Sequence, residues 1–329
     1  SAQILEMDGN TDEIKSLIDN AMQAGVERNL GHDYLEDIEE RYSDTARVTS
    51  PTPWDIINEL MQGGLGAGEL GVVVAPAGIG KSWVLSAMGA YAISKGLNVV
   101  HYTLELNEAY VGLRYDSIFT GVESQNLKYH KEEVMEKLYD LKGSLTIKYY
   151  PTKACTVNTL SAHLKKVTTF GTKVDMVLVD YADIMKDVSK AQEMRHALGN
   201  IYEDLRGMAG EMQIPIWTAS QANRSALDED VIEASKVAES YTKVMTADFV
   251  ISLSRKIEDK IGNTGRFHII KNRFGPDGLT YPAKINTNIG KIEIFEANSV
   301  QGKGVQHKIN NRDNQTKAIL SARYEDLMS

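Results

Sequence analysis

The stretch VVVAPAGIGKSW, residues 72–83, limits the possible folds more than any other part of the chain. Three valines run into a short loop that closes on Gly80-Lys81-Ser82. The order strand, loop, helix surrounds a phosphate with backbone N–H groups at a helix N-terminus, while lysine reaches the outer phosphates and a hydroxyl ligates Mg²⁺. The first glycine of the pattern G-x-x-x-x-G-K-[ST] is replaced by Ala75. A strand end in the β region accepts that small side chain, whereas Gly78 and Gly80 stand where backbone must crowd the phosphates. The backbone of Ala77, Gly78, Ile79 and Gly80, with Lys81, Ser82 and Trp83, is the expected nucleotide cradle. A chance Gly-Lys-Ser is the alternative, and the strand and helix on either side argue against it.

Such a loop needs a sheet behind it, and the chain supplies one. Apolar runs at 71–75, 98–104, 145–149, 175–180, 214–219 and 249–254 read as strands, with helical segments at 82–95, 108–120, 157–169 and 191–212 between them. Strands that alternate with helices imply a mostly parallel sheet covered on both faces. After residue 254 the pattern changes to GRFHIIKNR, LTYPAKIN and KIEIFEA, three extended runs joined by turns, which predict an antiparallel extension of the same sheet. The expected fold is therefore α/β, with residues 50–300 as one domain. Residues 301–329 read as a polar, partly disordered tail with a possible short helix around ILSARYEDLM.

Residues 1–49 form an acidic arm. Within it TDEIKSLIDNAMQA, residues 11–24, places Ile14, Leu17, Ile18 and Met22 on one helical face. A proline-punctuated linker, VTSPTPW, follows, so this amphipathic helix either folds back on its own domain or docks on a neighbouring subunit. The arm also decides how the net charge of -9 is read. Residues 1–45 hold 12 acids and 3 bases, which leaves 33 of each in the rest. The body is neutral, and a local basic lining for nucleic acid remains open. Cys155 is the only cysteine, which excludes an internal disulfide and a thiolate zinc cage. No apolar run is long enough to span a bilayer and no signal peptide opens the sequence, so a cytoplasmic protein is expected.

Hydrolysis needs more than a cradle. Asp180 ends the apolar strand DMVLVDYAD, where an acid reaches the crevice at the C-terminal edge of a parallel sheet and can hold the metal. Asp183 reads as a weaker candidate, more in keeping with a loop or cap residue. Tyr181, rather than a glutamate, follows Asp180, so the carboxylate that activates water must come from elsewhere. Glu105 closes the strand 98–104 at the same edge and can orient the attacking water, or it is a charge at a helix N-terminus. Gln221, in IWTASQANR, emerges from another buried strand and suits a γ-phosphate contact, against a plain strand-to-loop transition. Lys271 and Arg273 are two apart, so a strand aims both to one face. They can stabilise phosphate charge in a neighbouring subunit's site, or form a solvated basic face. His101 and His268 lie on strands without a ligand pattern and read as core or surface residues.

Taken in order, GGLGAGEL, APAGIGKS, TLEL with Arg114 nine residues after Glu105, VLVDYADIM, TASQANR and IIKNRFGPDG resemble the RecA-like motor domain of DnaB-family replicative helicases, including their bacteriophage members. The resemblance covers about residues 50–295, and the family commonly has alanine at the position of Ala75. It implies a RecA-like fold, a homohexamer with ATP at each interface, and Arg114 in the nucleotide-binding set. Lys81 and Ser82 would hold phosphate and Mg²⁺, Asp180 the metal shell, Glu105 the attacking water and Gln221 the γ-phosphate. Lys271 and Arg273 would act in trans, and the N-terminal helix would be the linker helix that latches onto the adjacent subunit.

The same resemblance implies 5′-to-3′ translocation on single-stranded DNA held in a central channel. Two loops would hold it, one with Lys186, Lys190 and Arg195, the other with Arg224, Lys236, Glu239, Ser240 and Lys243. Here Ala238 stands where the family often has arginine, and residues 223–235 are acidic. Primase and a helicase loader are possible further partners. Only residues 1–49 precede the motor, in keeping with an excised motor or a minimal helicase. A RecA-type recombinase filament and a regulatory assembly ATPase of the KaiC kind share the ATPase core and stand as alternatives.

Overall fold

The computed structural model describes residues 33–43, 47–189, 191–237 and 241–311. The chain divides into two units, residues 1–47 and 48–329. In the described part of the first, Asp33 accepts hydrogen bonds from the Leu35 and Glu36 amides at 2.9 Å, and one helical turn follows at Ile38–Arg41. The amphipathic segment 11–24 and the sequence ILSARYEDLM lie outside the described residues.

In the second unit, β1 (Thr49–Ser50) and β2 (Leu65–Gly66) form a small antiparallel pair that leads into β3 (Leu70–Ala75). All six residues of β3 are buried. Alternate side chains point to opposite faces of a strand, and here Leu70, Val72 and Val74 join one apolar core while Val73 and Ala75 join another. A strand buried on both faces must lie inside a sheet, and β3 is flanked by β7 (Ile216–Gln221) and β8 (Phe249–Ser254), both parallel to it. With β4 (Val99–Thr103), β5 (Leu145–Tyr149), β6 (Met176–Asp180), β9 (Thr264–Asn272), β10 (Thr280–Asn286) and β11 (Lys291–Ile294), the order is β11-β10-β9-β8-β3-β7-β6-β4-β5. Strands β8 to β11 pair antiparallel, as the change of pattern after residue 254 predicts.

Helices cover both faces. Lys81–Ser94 and Glu108–Thr120 pack on one core through Val84, Leu85, Met88, Val111 and Tyr115. Val157–Thr169 and Met194–Met212 pack on the other through Leu160, Leu164, Ile201 and Leu205. Their limits are local. Asn107 caps the second helix by accepting from the Tyr110 amide at 3.0 Å, and Gly121 ends it at φ 74°. Thr156 and Thr159 close a capping box at the third. The centre of the sheet requires a missing side chain: a Cβ at Gly71 would stand 2.4 Å from the Trp217 ring.

Two differences from the sequence reading are instructive. Lys131–Tyr139 is a helix with no buried residue, and its apolar positions Val134, Met135 and Leu138 make too short a stripe among charged residues for periodicity to single it out. Residues 301–311, read above as the start of a polar tail, continue a helix that begins at residue 300, and Val305 and Ile309 are buried. Two apolar side chains four apart on an otherwise polar segment are enough to seat one helical face.

Candidate nucleotide site

Register alone brings the chemistry to one edge. Ala75 pairs with Gln221 across β3 and β7, and Thr103 with Asp180 across β4 and β6, so all four strands end together. Beyond those ends lies a cavity of about 310 Å³, lined by the loop residues Ala77, Gly78, Gly80, Lys81 and Ser82, and by Trp83, Glu105, Leu106, Arg114, Asp180, Tyr181, Gln221 and Thr287. Its volume falls in the range of small-ligand sites. Of the expected residues, the cradle and Glu105, Asp180, Gln221 and Arg114 are gathered here, with Ile79 of the loop buried, but Lys271 and Arg273 are not. Thr287, in the β10–β11 turn, carried no sequence signal. Only the antiparallel extension folding back over the loop brings it within 3.5 Å of where a Gly80 Cβ would be.

The loop geometry explains its glycines. Gly78 and Gly80 have φ of 71° and 122°, a region that strongly favours glycine. A Cβ at Gly78 would meet nothing within 4 Å of the protein, so the backbone conformation rather than crowding by the protein demands glycine there. Lys81 Nζ donates to the carbonyls of Ala75 and Pro76 at 2.9 and 3.1 Å. Burial lowers the Lys81 pKa, against the pull of Asp180, Asp183 and Glu105.

Asp180 has the opposite problem. Burial raises its carboxyl, while a hydrogen bond from Ser82 and the Arg114 guanidinium, 3.9 Å away, hold it down. One carboxylate oxygen, Oδ1, is buried with no hydrogen-bond partner. An orphaned carboxylate oxygen beside a hydroxyl on a phosphate loop fits the donor set of a hard divalent cation. Among the described residues no cluster of three or more His, Cys, Asp or Glu side chains could cage a metal, so such a cation would come shared with a phosphate. Arg114 also lies 5.4 Å from the Trp83 ring centroid.

A larger cavity, about 630 Å³, lies between Asp55–Leu60 and the β9–β10 turn. Its only charged lining residues are Glu59 and Glu296, the wrong sign for phosphate.

Lys271 and Arg273 lie at the other edge. The pairing of Asn272 with Phe249 sets the end of β9 beside the start of β8. Lys271 Nζ donates to the carbonyls of Val244 and Met245 at 3.0 and 2.5 Å, and Arg273 pairs with Asp248 at 2.6 Å. The two cations sense each other, since Arg273 adds to burial in lowering the Lys271 pKa. Asp248, which sequence reading missed, is almost wholly buried, and also accepts from the Leu70 amide and Arg206.

The loop cations do not share one fate. Lys186, Arg195 and Arg224 are exposed, Arg195 lying 3.7 Å from Glu193, whereas Lys236 is tied to Glu229 at 2.8 Å. Lys243 corrects the expectation outright: its side chain is 1% exposed and pairs with Asp183 at 2.8 Å. It therefore offers no charge to a ligand on the surface. Lys190, Glu239 and Ser240 lie outside the described residues. Part of the acidity of residues 223–235 is met internally, since Asp230 pairs with Lys256 and Arg266 at 2.9 and 3.0 Å and Glu229 with Lys236. His101 is wholly buried against Tyr115, and burial pushes its pKa down to about 3. His268 bonds Thr280 at 2.9 Å. No described helix is long and apolar enough to cross a membrane.

Comparison with known proteins places this architecture. The family model for the DnaB-like helicase C-terminal domain matches residues 51–289. A DnaB-like replicative helicase of Enterobacteria phage T4 is 27% identical over 276 residues, covering 80% of this chain and 58% of that one. The replicative DNA helicase DnaB of Helicobacter pylori is 24% identical over 172 residues, 51% of this chain and 35% of that one. The chain thus spans about half or less of these relatives. Among solved structures, a DnaB-like replicative helicase described with its primase interactions superposes at a TM-score of 0.69 with 17% identity, over 85% of this chain and 71% of that one. A solved ATPase domain superposes at 0.66 with 16% identity, over 88% of this chain and all of that one.

Proposed function

The chain belongs to the DnaB-like helicase C-terminal domain family, and from that premise we propose that it is the ATP-driven motor of a hexameric replicative helicase that translocates 5′ to 3′ on single-stranded DNA. One observation carries the reading: Lys81, Ser82, Glu105, Asp180 and Gln221 meet in one cavity, while Lys271 and Arg273 stand at the opposite edge of the same sheet.

Each group then has a task. The loop backbone and Lys81 bind the phosphates, and Trp83 and Arg114 border the remainder of the nucleotide. Mg²⁺ bound with ATP would be held by Ser82 and Asp180, and would offset negative charge on the phosphates. Glu105, exposed at the mouth, orients the attacking water, and Gln221 contacts the γ-phosphate. Lys271 and Arg273 cannot serve the cavity of their own chain from the far edge of β3. They suit the cavity of a neighbouring copy, which favours a ring with sites at its interfaces. Of the expected loop cations, exposed Lys186 and Arg224, and Arg195 beside Glu193, are the described ones that can reach phosphates of DNA. Primase is proposed as a partner because a structural neighbour is described with it. A cytoplasmic site of action follows from that role.

The test is unwinding of fluorescent forked DNA bearing a 5′ tail, a 3′ tail or both. Opening that needs the 5′ tail and disappears with Lys81→Ala is expected. ATP hydrolysis without opening of any fork would overturn the helicase reading.

A further inference from the structure

Asp183 is joined to four groups at once. It accepts from Tyr202 Oη at 2.8 Å, the Gln221 backbone N–H at 2.8 Å, Ser220 Oγ at 3.2 Å and Lys243 Nζ at 2.8 Å. Lys243 in turn donates to Ser220 Oγ at 3.2 Å. One end of this cluster is the backbone of Gln221, which lines the nucleotide cavity. The other is the short helix Thr242–Thr246, whose last carbonyls receive Lys271 and whose chain runs through Asp248 into β8. Lys243 is the only charged side chain of that helix, and it points inward.

A buried ammonium is costly unless its partner is fixed, and a fixed partner makes the two elements move as one. We propose that the Asp183–Lys243 pair is a strut that couples occupation of the nucleotide cavity, through Gln221, to the position of the helix Thr242–Thr246 and of Lys271 beside it. Asp183 and Lys243 are positioning residues, since neither touches the cavity. A shift of Gln221 towards a bound γ-phosphate pulls on the carboxylate through its own N–H, and the ammonium transmits the displacement to the helix that holds Lys271. The inference rests on the reading of the cavity as an ATP site.

The test is hydrogen exchange of the full chain with and without a non-hydrolysable ATP analogue, with analogue affinity measured alongside. Lys243→Met keeps the length of the side chain and removes its charge. Asp183→Asn with Lys243→Met removes both charges, so that no carboxylate is left buried without its cation, and thermal melting confirms that the variants fold. Wild type is expected to show about tenfold slower exchange at residues 242–246 on binding the analogue. Both variants should bind with affinity within about threefold of wild type yet lose that protection. Protection retained in the double variant would overturn the strut, as would binding to wild type with no change at 242–246. Should wild type bind no analogue, the ATP reading and the strut fall together.

Discussion

At the residue scale, Glu105 and Lys81 separate binding from chemistry. On the proposed reading Lys81 would contact phosphate in both ground and transition states, whereas Glu105 would act on water alone. Glu105→Gln should leave ATP affinity nearly unchanged and lower kcat by about 10²- to 10⁴-fold. Single-turnover hydrolysis beside equilibrium binding checks this, and a large loss of affinity would place Glu105 in binding instead. His101 makes a second residue-scale case. Its folded pKa of about 3 lies below the ordinary 6.5, so the unfolded chain binds the extra proton first. Its contribution is complete above about pH 6.5 and is lost as pH falls towards 3, amounting to about 2 kcal/mol between pH 7 and 5. Urea midpoints at the two pH values should show that loss, and His101→Asn should remove it.

At the element scale, the central strands are held by complementary sizes. Gly71 on β3 leaves the space that the buried Trp217 ring of β7 fills, and Trp217 meets Phe249 of β8 edge-on at 6.1 Å. Gly71→Ala should cost about 1–3 kcal/mol by overpacking, and Trp217→Ala about 3–5 kcal/mol by leaving a cavity. Both are read from denaturation midpoints. Because β3 delivers the phosphate loop, Gly71→Ala should also weaken nucleotide binding, although it lies at the far end of the strand. How much was legible divides along the same line. The strands of the nine-stranded sheet and the four flanking helices were readable because each carries its own apolar signal. Lys131–Tyr139 was not, because Val134 and Leu138 make only a short stripe among charges, and Val305 and Ile309 are likewise too sparse to announce a helix.

At the scale of the whole molecule, the distance between the cavity and the Lys271–Arg273 edge gives the sharpest expectation. Lys81→Ala protein lacks a working cavity but keeps its cations, and Arg273→Ala protein has the reverse defect. Mixing them before assembly should restore part of the ATPase activity that neither has alone. That is the result expected if each cavity is completed by a neighbouring copy. No recovery on mixing would mean that Arg273 serves its own chain or none.

The sequence by itself determined the phosphate loop, the sheet behind it and the residues at its edge, because each is written in a few adjacent positions and a strand end is a fixed place. Tertiary structure decided the fate of charge. Lys243 looked like a surface cation until β6, β7 and the helix before β8 met around Asp183, and Asp183 looked like a loop or cap residue until the same meeting made it a hub. Asp230 looked out of place near DNA until Lys256 and Arg266 were folded against it. A side chain's charge is known from its name, but whether solvent, a ligand or another side chain answers it depends on which distant elements the fold brings within hydrogen-bonding distance.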